Sequence, residues 1–306
     1  MRRPATQAVM NALIKKGGEA RFVGGCVRDA LLGQPGGDNI DIATSIAPNR
    51  VIMLLETAGL KAIPTGVKHG TVTAIVADET FEITTLRRDV DTDGRHATVQ
   101  FTEDWLVDAS RRDFTINAMY CDINGTLYDP LKGANDLKSG IVRFVGNAER
   151  RIQEDTLRIL RFFRFYAHFG KGPPDPKAFA ACGAATNKLN SLSGERIASE
   201  LLKWLAVPDP MPAIKYADES GVLSSALQFS PNTGAIGRTD NLVSIENQTG
   251  LVDPLRRLAS LTSNRKQRAT IASRLKFSNK SRRRLEAMFV SPFKIARTMS
   301  RAEAQT

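Results

Sequence analysis

Apolar and polar positions change rhythm once along this chain. Between residues 20 and 146, short alternating runs are separated by helical stretches. Residues 20–23 are rich in β-formers and end at Gly24-Gly25, after which 26–32 reads as a helix stopped by Gly33. Residues 39–44 alternate as a strand does, and 48–59 is helical with Val51, Leu54 and Leu55 on one side. Two β-runs, 70–77 and 80–86, meet at the tight Asp78-Glu79 connection. Asn124-Gly125, between 118–123 and 126–128, is a hairpin signal. Past Gly146 strand signals vanish, and 148–169, 193–205 and 211–223 read as helices. The Asn-, Thr- and Gly-rich segment 230–250 reads as a loop. Near the start, Val9, Met10, Leu13 and Ile14 recur at helical spacing and predict a first helix. The pattern predicts an α+β chain, with a mixed first part, an all-α remainder and a boundary near Gly146.

Length agrees with this division, since 306 residues make about two domains. No stretch approaches the run of about 20 apolar residues that a membrane helix needs. Cys26, Cys121 and Cys182 are scattered with no CxxC spacing, and there are only three histidines, which rules out a disulfide scaffold and argues against a structural zinc site. Charge changes the picture more. Lys and Arg number 43 against 32 acids, a net +11, so the expected partner is a polyanion, with nucleic acid ahead of an acidic membrane. Residues 1–18 carry no acid and resemble a transit peptide in composition, but their helical spacing favours a first helix and a cytoplasmic protein.

Three groups of residues carry candidate chemistry. Gly24-Gly25 lies between strand and helix, where backbone N–H groups can approach an anion, and Arg28 one turn on adds a guanidinium for phosphate. In Asp38-Asn39-Ile40-Asp41 and in Phe81-Glu82-Ile83, acids sit within apolar β-runs. Burying them costs several kcal/mol unless they are paired or bind metal. Carboxylates two apart on a strand share a face and can hold two Mg²⁺ ions about 4 Å apart. In 154–164, read as one helix, Asp155 and Arg158 are neighbours at i, i+3, with Arg161 and Arg164 continuing the stripe. A paired carboxylate and guanidinium can accept from the amino group and donate to the ring nitrogen of cytosine or adenine, while guanine and uracil reverse both demands.

These segments, taken with Glu82-Ile83-Thr84-Thr85-Leu86-Arg87 and Arg111-Arg112-Asp113-Phe114-Thr115-Ile116-Asn117-Ala118, resemble the class II tRNA nucleotidyltransferase/poly(A) polymerase family. Their order and spacing are those of its bacterial CCA-adding branch, densely over residues 20–170 and more loosely beyond. The resemblance implies a polymerase-β-like nucleotidyltransferase head (1–146), a helical nucleobase-binding neck (147–206) and a shortened helical RNA-binding body (207–306). It implies Mg²⁺-dependent transfer of CMP and AMP from CTP and ATP to the tRNA 3′ end, with no membrane and no protein partner. By position, Gly24, Gly25, Arg28 and Arg112 would hold the nucleotide, Asp155 and Arg158 would read its base, and Arg161 and Arg164 would support it. Asp41, with Asp38 or Asn39, would bind metal, and Glu82 would complete the catalytic acids. Residues 87–100, with Asp91, Asp93, Gly94 and Arg95, match a flexible loop implicated in switching from C to A.

Two departures leave alternatives open. Where the family has Asp-x-Asp before Ile-Ala-Thr, this chain has Asn39, a poor Mg²⁺ ligand. Asp38 falls on the opposite face unless a β-bulge re-aims it. The chain also stops at Thr306, inside the body. Its end is basic, with nine cations and no acid from residue 264 to 284, which favours RNA phosphate contact. A poly(A) polymerase, a partial CC- or A-adding enzyme and an inactive RNA-binding relative are the competing expectations.

Overall fold

The computed structural model describes residues 3–15, 17–34, 40–93 and 96–288, and of 91–93 and 96–98 only the backbone. Asp38, Asn39, Gly94 and Arg95 lie outside the described residues. Nine strands are described: β1 Ala20–Val23, β2 Ile40–Thr44, β3 Lys61–Gly66, β4 Thr71–Val76, β5 Glu79–Thr85, β6 Arg87–Asp93, β7 His96–Phe101, β8 Tyr120–Cys121 and β9 Leu127–Tyr128. The α-helices among them are α1 Pro4–Ile14, α2 Gly25–Leu31, α3 Pro48–Thr57, α4 Trp105–Ser110 and α5 Gly133–Ser139. Beyond β9 follow α6 Ala148–Glu154, α7 Arg158–Phe169, α8 Pro176–Ala184, α9 Gly194–Leu205, α10 Met211–Glu219, α11 Val222–Leu227, α12 Thr233–Thr249, α13 Pro254–Ser260, α14 Arg265–Arg274 and α15 Asn279–Ala287.

Seven strands form one sheet in the order β3-β4-β5-β2-β1-β8-β9, in which only β2 and β5 run parallel. Alternation along the strands separates two faces. Ile40, Ile42, Phe81 and Ile83 join Val9, Met10 and Leu13 of α1 and Val51, Leu54 and Leu55 of α3 in the main core. The opposite face carries Asp41 and Glu82, and farther along it Ala43, Leu86, Trp105 and Tyr120 form a second, smaller cluster. That alternation is why the acids lie on the face the helices leave open. Residues 4–14, with Ala5, Thr6, Val9, Met10 and Leu13 buried, are a core helix.

The main core continues into the helical part, where Phe114 and Phe144 meet Phe162 at 6.4 and 5.9 Å between ring centroids. No helix among the described residues is long and apolar enough to cross a membrane.

Four sequence expectations need correction. Segment 230–250 is not a loop: α12 spans Thr233–Thr249, because Ala235, Thr239, Val243 and Glu246 recur at helical spacing and are buried. Residues 87–100, expected as a loop, are strand-paired where described. They form the β6–β7 hairpin, antiparallel with Arg87 opposite Phe101. The helix expected over 148–169 breaks at Asp155, whose backbone is extended (φ −152°, ψ 107°), so α6 and α7 are separate. A left-handed Gly221 (φ 75°) likewise divides 211–223 into α10 and α11. Alternation did not reveal β3, an edge strand whose Pro64 lies at a register shift, where a missing N–H is tolerated.

Candidate active site

A cavity of about 450 Å³ opens between the sheet and α7. It is lined by Gly24, Gly25, Arg28, Asp29, Gln34 and Asp41, by Arg112, Asp113 and Asn117, and by Arg161, Arg164, Phe165, His168 and Phe169 of α7. Gly24 caps α2 at φ 72°, ψ −124°, a conformation closed to side-chain-bearing residues, and its N–H donates to the Met119 carbonyl. Arg28 follows on α2. It donates to Asp29 and to Asn117 Oδ1 (2.6 Å), with its guanidinium 4.4 Å from the Phe169 ring centroid.

Asp41 on β2 pairs in parallel register with Glu82 on β5, which puts both carboxylates on one face of neighbouring strands. Desolvation raises the pKa of Asp41 despite the opposing charge of Arg112. Desolvation raises Glu82 as well, and the Asp41 charge adds to it. Among the described residues, no group of three or more His, Cys, Asp or Glu side chains is placed to hold a metal. Two neighbouring carboxylates are a donor set that fits Mg²⁺, an ion usually bound through one or two protein carboxylates. Whether Asp38 or Asn39 joins them lies outside the described residues.

Arg112 is fixed from behind. It donates to Asp108 Oδ2 (2.9 Å) and to Tyr120 Oη (3.2 Å), and Arg111 holds the other Asp108 oxygen at 2.8 Å. Burial alone would raise Asp108, but Arg112 and Arg111 outweigh it and hold the carboxyl at about 2. Burial likewise opposes ionisation of Asp113, and Arg161 outweighs it, so that pKa is also lowered. Arg164 pairs with Glu200 of α9 at 3.1 Å. At the far end, burial and then the charges of Arg164 and Arg28 lower the pKa of His168.

Six of the eight expected nucleotide residues, Gly24, Gly25, Arg28, Arg112, Arg161 and Arg164, therefore line one cavity with Asp41. Asp155 and Arg158 do not, and the i, i+3 pairing expected of them is absent. The break at Asp155 turns its carboxylate to Arg196 of α9 (2.9 Å), while Arg158 donates to Glu154 (2.7 Å) and to the Arg151 carbonyl. Sequence reasoning also missed Asp29, Gln34, Asp113, Asn117, Phe165, His168 and Phe169 as lining residues. Asp29, Asp113 and Asn117 stand inside the quoted motifs, and this was the available signal.

The description "Poly A polymerase head domain" fits residues 20–143, and "Probable RNA and SrmB- binding site of polymerase A" fits 174–231. The mitochondrial CCA tRNA nucleotidyltransferase 1 of Homo sapiens is 48% identical over 202 residues, 65% of this chain and 46% of that protein. The CCA-adding enzyme of Oceanobacillus iheyensis is 42% identical over 210 residues, 68% of this chain and 51% of its own. The chain thus spans about half the length of these curated relatives. The crystal structure of the Bacillus stearothermophilus CCA-adding enzyme in complex with CTP superposes with a TM-score of 0.77 at 30% identity, covering 93% of this chain and 69% of that one. With the motifs in order, the α+β architecture and these matches, the chain belongs to the class II tRNA nucleotidyltransferase/poly(A) polymerase family.

Proposed function

We propose that the protein adds CMP and AMP, taken from CTP and ATP, to the 3′ end of tRNA. The observation that carries this is the cavity that four arginines line together with Asp41, itself in register with Glu82. Residues 1–146 would act as the catalytic head, 147–206 as the neck and 207–306 as the RNA-binding body. The likeness to enzymes named for CCA addition supports the reaction, and the net charge supports the polyanionic partner.

Arg28, Arg112, Arg161 and Arg164 bind and orient the triphosphate, and they hold the charge that gathers on pyrophosphate as it leaves. Asp41 and Glu82 would hold Mg²⁺. Bound there, the ion would supply Lewis-acid charge that makes the RNA 3′-hydroxyl a better nucleophile and steadies the leaving group. Asp41 would take up that hydroxyl's proton as its oxygen bonds to the α-phosphorus and the bond from the α-phosphorus to pyrophosphate breaks. Asp155 and Arg158, each already in an ion pair, would exchange those partners for a base edge when a nucleotide enters. The cytoplasm is the proposed compartment, and the packing of α1 in the core supports reading residues 4–14 as part of the fold.

The test is the mass of the 3′ end of tRNA lacking its CCA after incubation with the protein, Mg²⁺ and all four nucleoside triphosphates. Addition of C, C and A is expected. A poly(A) product, CC alone or A alone would replace this reading with a neighbouring one. No product with tRNA still bound would identify an inactive relative.

A further inference from the structure

Polar side chains cross the cavity from α7 to α2 without a break. Arg161 donates its Nε to Asp113 Oδ2 at 2.7 Å, and its Nη2 reaches the same oxygen. Asp113 Oδ1 accepts from Asn117 Nδ2 at 3.1 Å, and Asn117 Oδ1 accepts from Arg28 Nη1 at 2.6 Å. An aromatic path joins the same two arginines. The Phe165 ring centroid lies 5.2 Å from the Arg161 guanidinium and 5.4 Å from that of Arg28. Arg28, Asn117, Asp113, Arg161 and Phe165 thus close a ring around one side of the cavity.

Asn117 is the member of this ring that must serve a cation on one side and an anion on the other. A carboxamide does both, because its oxygen only accepts and its nitrogen only donates. Aspartate in its place would satisfy Arg28 and set a second carboxylate against Asp113. Asn117 is only 8% exposed, so water is poorly placed to repair either bond. Phe165 meanwhile holds the guanidiniums without neutralising them.

We propose that Asn117 is a positioning residue that locks Arg28 and Arg161 into a single anion clamp, so that the sheet side and the helical side of the cavity grip the incoming nucleotide's polyphosphate as one unit. This rests on the nucleotidyl-transfer reading and deepens it. Calorimetric titration of the full chain with CTP and with ATP, in Mg²⁺ and without RNA, tests it. Asn117→Asp should weaken both nucleotides by about tenfold, the scale of one charge-assisted hydrogen bond. In turnover it should raise KM for both while kcat changes less than about twofold, a split that general damage to the fold would not give. Should the variant fail to fold, Arg28→Lys, Arg161→Lys and their double variant decide instead: a clamp makes the double scarcely weaker than the worse single, whereas independent groups multiply their losses. Wild-type protein that binds neither nucleotide overturns both readings. Wild-type binding with Asn117→Asp unweakened, or multiplying arginine losses, overturns the clamp alone.

Discussion

Asp41 and Glu82 sit side by side on two parallel strands; desolvation makes both harder to ionise, and the Asp41 charge adds to the effect on Glu82. Their pKa values are raised, which means that charging them opposes folding: the penalty is complete above the folded pKa and disappears below the unfolded one. Asp41→Asn should therefore raise Tm at neutral pH in a chelator, while abolishing nucleotide addition. Mg²⁺ should raise the Tm of the wild type and leave that of the variant nearly unchanged. A lower Tm for Asp41→Asn in chelator would sink this account. Asp108 has the opposite sign. Its pKa, held at about 2 against an ordinary 3.8, stabilises the fold above pH 3.8, and that contribution is lost as pH falls through about 2. The contribution is about 2 kcal/mol, and Asp108→Asn should remove it and flatten the acid limb of a pH–stability curve over that interval. Asp41, Arg28 and Arg112 were legible because their residue types and motif contexts announce charge chemistry. Phe165 was not, since a phenylalanine in a helix of phenylalanines carries no spacing signal, and Asn117 stood inside a quoted motif that gave it no role of its own; only the tertiary fold brings both to one cavity.

Elements were legible where the buried face is apolar and obscured where polar groups do the burying. The strands flanking Asp41 and helix α9 followed from hydrophobic period, and so did the helical character of 148–169 and 211–223, though not their breaks. Helix α12 did not, because two of its buried positions are Thr239 and Glu246. Thr239 bonds Ser260 (2.8 Å), and Glu246 receives Arg256 and Arg257 of α13, each at 2.6 Å. Arg257 is fully buried and also donates to the Leu205 and Val207 carbonyls, which ties α12 and α13 to the end of α9. A sequence of Asn, Thr and Gly conceals a helix whose core contact is an ion pair. Glu246→Ala should cost about 3–5 kcal/mol, since it strands a buried guanidinium. Replacing Glu246 and Arg257 together by leucines should cost much less. Urea denaturation distinguishes the two, and a single-variant loss under about 1 kcal/mol would show that the pair does not hold these helices together.

Across the molecule, the net charge of +11 is an argument about RNA, but the structure divides the cations of residues 264–284 into two kinds. Arg268 is buried, Arg274 donates to the Leu189 and Leu192 carbonyls, and Arg284 pairs with Asp253. Arg268 and Arg274 hold the fold and the exposed Arg284 is already paired, so the nine cations counted along the sequence overstate the charge free for phosphate. Arg265, Lys266, Lys276, Lys280, Arg282 and Arg283 remain exposed on and between α14 and α15. Counterion release ties phosphate contacts to a linear fall of log affinity with log salt, with a slope of about −0.9 per phosphate on duplex and about −0.7 on single strand. Neutralising Lys280, Arg282 and Arg283 should therefore reduce the slope for tRNA binding by about 2 to 3 and weaken binding at low salt. Nucleotide affinity measured without RNA should stay the same, because none of the three lines the cavity. Arg284→Gln should act differently, lowering stability with little change in slope, because its partner is Asp253. If the triple variant kept the wild-type slope, the RNA would have to cross another face, and the surplus charge on α14 and α15 would be solvated surface only.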